Sequence, residues 1–233
     1  MCEPTIYKPS IYNGAGIYKN GAAGGGDLPE GYQRLFCFSF NGNANIRFKS
    51  NKQFTIDNAN QIYENRIRLD VIFNEVLSSK SLRFQFYASD KIFFGYFINP
   101  SSTGSEFQVF YKNSTSGYNK YKTYSKATAT SLFEGEFFLN KLNKNHAELL
   151  GNEVLNDVPY NAISLDTLLD FNFNTSSIPF SFYSIQIKDL DGNVIYDFIP
   201  VYNTNNGIIS IYEKNTDDIF TVTGDTSTLT AYF

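Results

Sequence analysis

The chain has 233 residues and a formal net charge of −4, with 42% apolar, 17% aromatic and only 18% charged residues. An acidic balance of this kind gives no electrostatic footprint for nucleic acid. One His and two Cys, far apart at Cys2, Cys37 and His146, leave a zinc site almost no ligands and a nucleophilic engine only His146 as base.

Residues 1–27 differ from the rest. Ile-Tyr pairs recur at Ile6-Tyr7, Ile11-Tyr12 and Ile17-Tyr18, each followed by a turn-like element, and the segment closes on Gly24-Gly25-Gly26. Six large apolar residues are too few to offset ordering such a segment by itself. A bland linker is polar throughout; a floppy tail is the plain alternative here. The regular pairs point instead to an anchoring arm that docks on another subunit, by adding strands or inserting Tyr side chains. The start, Met1-Cys2-Glu3-Pro4, has neither the basic nor the apolar region of a secretory signal. No apolar stretch approaches the roughly 20 residues needed to cross a bilayer. Two cysteines on such different segments make no disulfide framework.

From Leu28 onward, strand-like runs alternate with Gly, Asn, Ser or Asp, and the vocabulary is rich in Phe, Tyr and Ile. Residues 33–40 alternate, with Leu35, Cys37 and Ser39 on one face and Phe36, Phe38 and Phe40 on the other. Residues 45–48 and 54–57 read as two short strands. Residues 64–74 set Ile67, Leu69, Val71 and Phe73 against Arg66, Arg68 and Asp70, the pattern of a half-buried strand. Residues 82–88 and 91–99 follow as a pair, then 106–112. Residues 118–124 read as a loop or edge strand, although Tyr118, Tyr121 and Tyr124 have helical spacing. Residues 134–140 form another strand.

Residues 146–157 predict a hairpin turning at Gly151-Asn152, because Gly costs about 1 kcal/mol inside a helix and suits a tight turn. Residues 165–169 are the best candidate for a short helical turn. Residues 180–189 and 193–200 flank a turn at Leu190-Asp191-Gly192, with Pro200 ending a strand or sitting at an edge. Residues 208–213 and 219–222 complete the sheet. No βαβ alternation occurs, so a parallel α/β fold is not expected.

The C-terminal part carries a resemblance. Ile185, Ile187, Asp189, Gly192, Val194, Asp197, Phe198, Ile199, Pro200, Gly207, Ile208, Ile211 and Tyr212 match a pattern that resembles the end of concanavalin A-like, LamG-type jelly-roll domains. Ser210 stands where that family often has Gly. The 146–157 hairpin and the segment 28–35 also resemble the family, so the likeness extends over residues 28–233. It implies an all-β fold, a jelly-roll sandwich of two antiparallel sheets, behind an extended N-terminal arm at 1–27. An arm followed by such a domain resembles head-fibre or tail-fibre components of crAss-like and related phages of gut bacteria. That implies a non-enzymatic virion protein, assembled in the host cytoplasm. It would be a homo-oligomer, with a trimer expected, docked through residues 1–27 on a capsid or other virion protein, with neither nucleic acid nor membrane insertion. The alternative is a lectin-like, glycan-binding receptor-binding module of a tail fibre or a bacterial surface protein.

Related folds host glycanases with paired glutamates, about 5–5.5 Å apart for a retaining reaction. Glu134 and Glu136 are the densest acidic pair, but Phe138 occupies the third position of that pattern, so no catalytic residue is expected. Residues 189–193 alternate oxygen donors in a way that suggests calcium, yet Phe198 replaces the Glu an EF-hand loop requires. An Asp-Gly type I′ turn explains the segment better, and no metal or other cofactor is expected. His146 reads as a surface residue and Asp217-Asp218 as a solvated turn. Tyr87, Tyr96, Tyr111, Tyr118, Tyr121 and Tyr124 are the candidates for stacking on host glycans, since Tyr offers a flat amphipathic contact. The competing reading assigns these rings to a sandwich core or a subunit interface.

Overall fold

Alternation of apolar and polar side chains, with Gly and Asn at the breaks, carries through into an antiparallel β fold. The computed structural model describes residues 28–40, 43–57, 59–72, 81–88, 91–101, 104–114, 117–124, 134–143, 146–149, 152–156, 164–176 and 180–233. The strands in chain order are β1 (Tyr32–Arg34), β2 (Cys37–Phe40), β3 (Ala44–Asp57), β4 (Gln61–Ile72), β5 (Ser81–Ala88), β6 (Lys91–Ser101), β7 (Gly104–Ser114) and β8 (Gly117–Tyr124). They continue with β9 (Glu134–Asn143), β10 (His146–Leu149), β11 (Asn152–Asn156), β12 (Ser164–Ser176), β13 (Phe180–Asp189), β14 (Val194–Asn203), β15 (Ile209–Glu213), β16 (Asp218–Gly224) and β17 (Leu229–Tyr232). The described residues contain no α-helix, only a 3-10 turn at Thr226–Thr228 capped by Asp225.

Pairing defines two sheets. In the first, β13 is central: β4 runs along one side and leads through β9 to β10 and β11. On its other side β13 pairs with β2 near its start and with β14 near its end. Beyond these lie β17 on β2, and β1 and β15 on β14. The second sheet runs β16–β3–β12–β5–β6–β7–β8. β16 belongs to both, pairing first with β15 and then with β3, so it turns the corner that closes one side of the sandwich. Gly224 ends that strand at φ +104, and a Cβ there would lie 2.2 Å from the carbonyl oxygen of Asn45. Only glycine fits both the backbone angle and the approach.

The space between the sheets is filled by rings. One cluster joins Phe38 and Phe40 of β2 and Phe182 of β13 to Phe48 and Phe173 of the facing sheet; Phe38 stacks on Phe182 at 5.0 Å and 20°. A second joins Phe54, Phe86 and Phe171 to Phe198 and Phe220, with Phe171 edge-on to Phe198 at 5.2 Å. All ten rings are at most 1% exposed. Burying such a side chain contributes roughly 1.5–3 kcal/mol, and offset or edge-on pairs add about 0.5–1.5 kcal/mol. A small outer core also exists: Ile199, Val201 and Tyr212 face away from the sandwich and are covered by Leu28, Tyr32 and Ile219.

Several expectations change on contact with the fold. The run 33–40 is broken at Leu35 and Phe36, where the chain bends from β1, paired with β14, into β2. Leu35 N donates to Pro200 O, and Phe36 N to Tyr232 O. Phe36 is consequently half exposed and edge-on to Tyr183, while Phe38 and Phe40 enter the core. The two short strands at 45–48 and 54–57 are one strand, β3, because β12 pairs with it on both sides of the polar stretch, across a register shift, and β16 reaches as far as Lys49.

Residues 165–169 are not helical. Their Leu spacing resembles a helix, but Thr167, Leu169, Phe171 and Phe173 point inward at period 2 and Leu168 is exposed. A bulge between Leu168 and Asp170 is filled by Ser50, whose Oγ accepts Leu169 N at 2.7 Å. Pro200 lies inside β14, at the point where pairing on one side passes from β13 to β1, so its missing N–H breaks no ladder bond. The last pair of the β10–β11 hairpin is Leu149 with Asn152, and Gly151 lies outside the described residues. β17 had no sequence signal.

Candidate functional site

The arm residues Ile6, Tyr7, Ile11, Tyr12, Ile17 and Tyr18 lie outside the described residues. The candidate glycan tyrosines do not share one face. Phe86 is buried; it pairs with Phe94, and Phe94 with Tyr111. Tyr96, two residues from Phe94, and Tyr124, which pairs with Phe107 opposite Ile98, hold the same register face as Phe86. Tyr87 and Tyr118 are each one residue out of phase with that set, and Tyr121 falls at an irregularity of the β7–β8 pairing.

Tyr87 sits in a built arrangement. The Arg47 guanidinium lies 5.3 Å from its ring centroid, and Arg47 forks onto Asp170, with Nη2–Oδ2 at 2.5 Å and Nε–Oδ1 at 3.3 Å. Two parallel bonds fix the plane of the guanidinium as well as its position. Strand alternation positions the group: Arg47 and Asp170 project from β3 and β12 on the face opposite Phe48 and Phe171. Asn45, Lys49, Asn172, Thr221 and Thr223 share that face in register. The Oδ1 of Asn172 is buried without a hydrogen-bond partner. A flat polar sheet face bearing an amphipathic ring is chemically suited to hydroxylated ligands. Arg47 and Asp170 were not singled out from the sequence, because β3 and β12 are brought together only by the fold.

Glu134 and Glu136 lie on β9 opposite Ile72 and Asp70, and His146 opens β10 opposite Asn143 and Asn156. The 189–193 segment is a turn, but not type I′. Gly192 N donates to Asp189 O, Leu190 and Asp191 lack positive φ, and Gly192 takes φ +90. That is a type I turn followed by a left-handed glycine. Both Asp189 oxygens accept from Asn193, one from its Nδ2 and one from its backbone N. The Asn193 amide holds the Asp189 carboxyl below its ordinary value. Among the described residues no cluster of three His, Cys, Asp or Glu side chains is arranged to hold a metal.

Asp217-Asp218 is not a solvated turn. Asp218 is 3% exposed and accepts from Asn51 N, and burial pushes its carboxyl up. Asp217, at φ 54, accepts from the Tyr212 hydroxyl. Glu213, fully buried, organises the whole turn. Its Oε1 accepts from Asp197 N and Asn215 N, and its Oε2 from Thr216 N and Oγ1. Lys52 Nζ closes the turn by donating to Thr216 O.

Burial, and then the Asp217 hydrogen bond and the nearby acidic charges, push the Tyr212 phenol from 10.0 up to about 12. A raised folded pKa means stability that is intact below pH 10 and lost as pH rises toward 12. The loss by pH 12 should reach roughly 2–3 kcal/mol. Urea titrations at pH 9 and 11.5 should show this fall in the wild type and a smaller one in Tyr212→Phe; equal slopes would remove Tyr212 as the cause.

Cys37, expected to take no part in a disulfide framework, is buried and disulfide-bonded. No family model, curated protein or solved structure matches the chain significantly.

Proposed function

We propose that the chain is a non-enzymatic virion structural protein. It would be a head-fibre or capsid-decoration component in which a LamG-type jelly roll at 28–233 is carried by the arm at 1–27. The observation that supports this reading is the mount. Leu28 and Tyr32, the first residues after the arm, pack on Ile199, Val201 and Tyr212 of β14 and β15. The Gly31 carbonyl there accepts from both Thr204 N and Thr204 Oγ1. The arm therefore departs from a fixed point on a rigid sheet, as a tether that transmits load to a projecting domain requires. The Ile-Tyr pairs supply the apolar contacts for a capsid or other virion protein, and a homotrimer is the expected state.

The test is to replace Tyr7, Tyr12 and Tyr18 together by Ala. The variant should keep the far-UV spectrum and thermal midpoint of the parent but be missing from purified particles. Particles that retain it in parental amount would sink the anchoring reading.

A second reading, glycan binding at the tip of such a fibre or on a bacterial surface, is favoured by the Tyr87–Arg47–Asp170 group on an otherwise polar face. Glycan-array binding by the intact protein that disappears in Tyr87→Ala would support it; an array that stays blank for the parent would count against it.

A further inference from the structure

Strand β3 has a neighbour along its whole length on one side and along only part of it on the other. β12 runs beside it from Ala44 to Asp57, across a register shift, whereas β16 leaves after Lys49. Among the described residues, no strand takes the place of β16 along 51–57. Gln53 and Thr55 on this stretch are exposed. A strand edge of that length presents a row of backbone N–H and C=O groups, and such a row pairs readily with another chain.

These groups are nonetheless taken, by side chains from three other places. Asn51 N donates to Asp218 Oδ2 at 3.2 Å, and Thr55 N donates to the Tyr196 hydroxyl at 3.1 Å. The Gln61 carboxamide accepts from Asp57 N at 2.8 Å and donates to Thr55 O at 3.1 Å. Those last two groups flank Ile56, and a single residue of a parallel neighbour strand would bond the same two. Each stand-in is itself held in place. Gln61 is 5% exposed, and its Oε1 also accepts from the buried Tyr63 hydroxyl at 3.0 Å. The Tyr196 ring lies edge-on to Phe54 at 5.1 Å and 75°. Asp218 is buried at the start of β16.

We infer that Asp218, Tyr196 and Gln61 stand in for a missing neighbour of β3 and close this edge against a second copy of the chain. Without them, the same edge of two copies can pair antiparallel about a two-fold axis, as open edges do. The edge is therefore a strand-addition site occupied from within. Tyr196 and Gln61 hold it at the 55–57 end, and Asp218 at the corner where β16 departs. The inference is independent of the anchoring proposal, because its readout is a change from the parental state of association.

The test compares the full chain with the double variant Tyr196→Phe, Gln61→Leu by sedimentation velocity over a concentration series. The substitutions remove the hydroxyl and the carboxamide and leave apolar bulk in place. The variant should form dimers of the parental species and larger assemblies, in a proportion that rises with concentration. Alternate residues of a strand send their N–H to the same edge, so that of Gln53 lies on the edge with Thr55. Adding Gln53→Pro removes this donor and should return the parental sedimentation. A double variant that sediments as the parent overturns the inference, as does association that survives the proline. If the double variant fails to fold, amide exchange in the wild type decides. Thr55 and Asp57 should exchange as slowly as amides within the β3–β12 ladder; free-peptide rates at both would overturn the inference.

Discussion

Phe173→Ala should lower the unfolding free energy by about 3–5 kcal/mol, the cost of truncating a fully buried Phe whose site cannot collapse. Phe173 projects from β12 into the first aromatic cluster. It lies 5.4 Å from Phe40, 5.8 Å from Phe48, 5.8 Å from Phe182 and 6.1 Å from Phe38. Two of these strands, β2 and β13, belong to the opposite sheet, so the ring is one of the clamps between layers. A cavity there removes contacts from both sheets at once, and the flanking rings are themselves held by strand pairing and cannot move in. Phe173→Leu refills most of the volume and should cost about half as much. Urea-unfolding midpoints for the two variants check this. A loss below about 1 kcal/mol for the alanine variant would mean that the layers are not clamped at this point.

Glu213→Ala should cost about 3 kcal/mol, although it removes no apolar side chain. The carboxylate accepts from three backbone N–H groups and one hydroxyl, and leaving a buried donor unsatisfied costs about 1–3 kcal/mol. Some of these donors lie near enough to the surface to find water, which keeps the total below the sum. Glu213→Gln keeps one acceptor oxygen and should cost about half. The loss is local, so amide exchange at Asp197, Asn215 and Thr216 should accelerate before global unfolding. Unchanged exchange at those three amides would show that the turn is held by the Lys52, Asn51 and Asp218 contacts alone.

How much of this was legible in the sequence differs by element. The strands at 82–88, 91–99 and 106–112 and the hairpins at 146–157 and 180–200 follow from alternation and turn chemistry. They form at those places with ends shifted by a few residues. β12 was missed because Leu165, Leu168 and Leu169 mimic helical spacing, while polar Thr167 occupies an inward position and hides the period of 2. Glu213 and Asp218 gave no signal, since a carboxylate in a polar stretch reads as solvated. Their burial is caused by the return of the chain onto β3, with Asn51 and Lys52 arriving from more than 150 residues away. Arg47, Asp170 and Tyr87 come from three strands distant in sequence, and no local pattern links them.

The sequence by itself determined that the protein is a β fold with an aromatic interior and a compositionally distinct first segment. Alternation and composition act within a few residues, and burial of one strand face is a local demand. Only the tertiary structure decided which strands face each other across the core and which acids are buried. It also decided which tyrosine meets an arginine and which side chains fill the open edge of β3. Those outcomes depend on strand register and on which segment crosses which sheet, and such pairings are set by the packing of the whole chain.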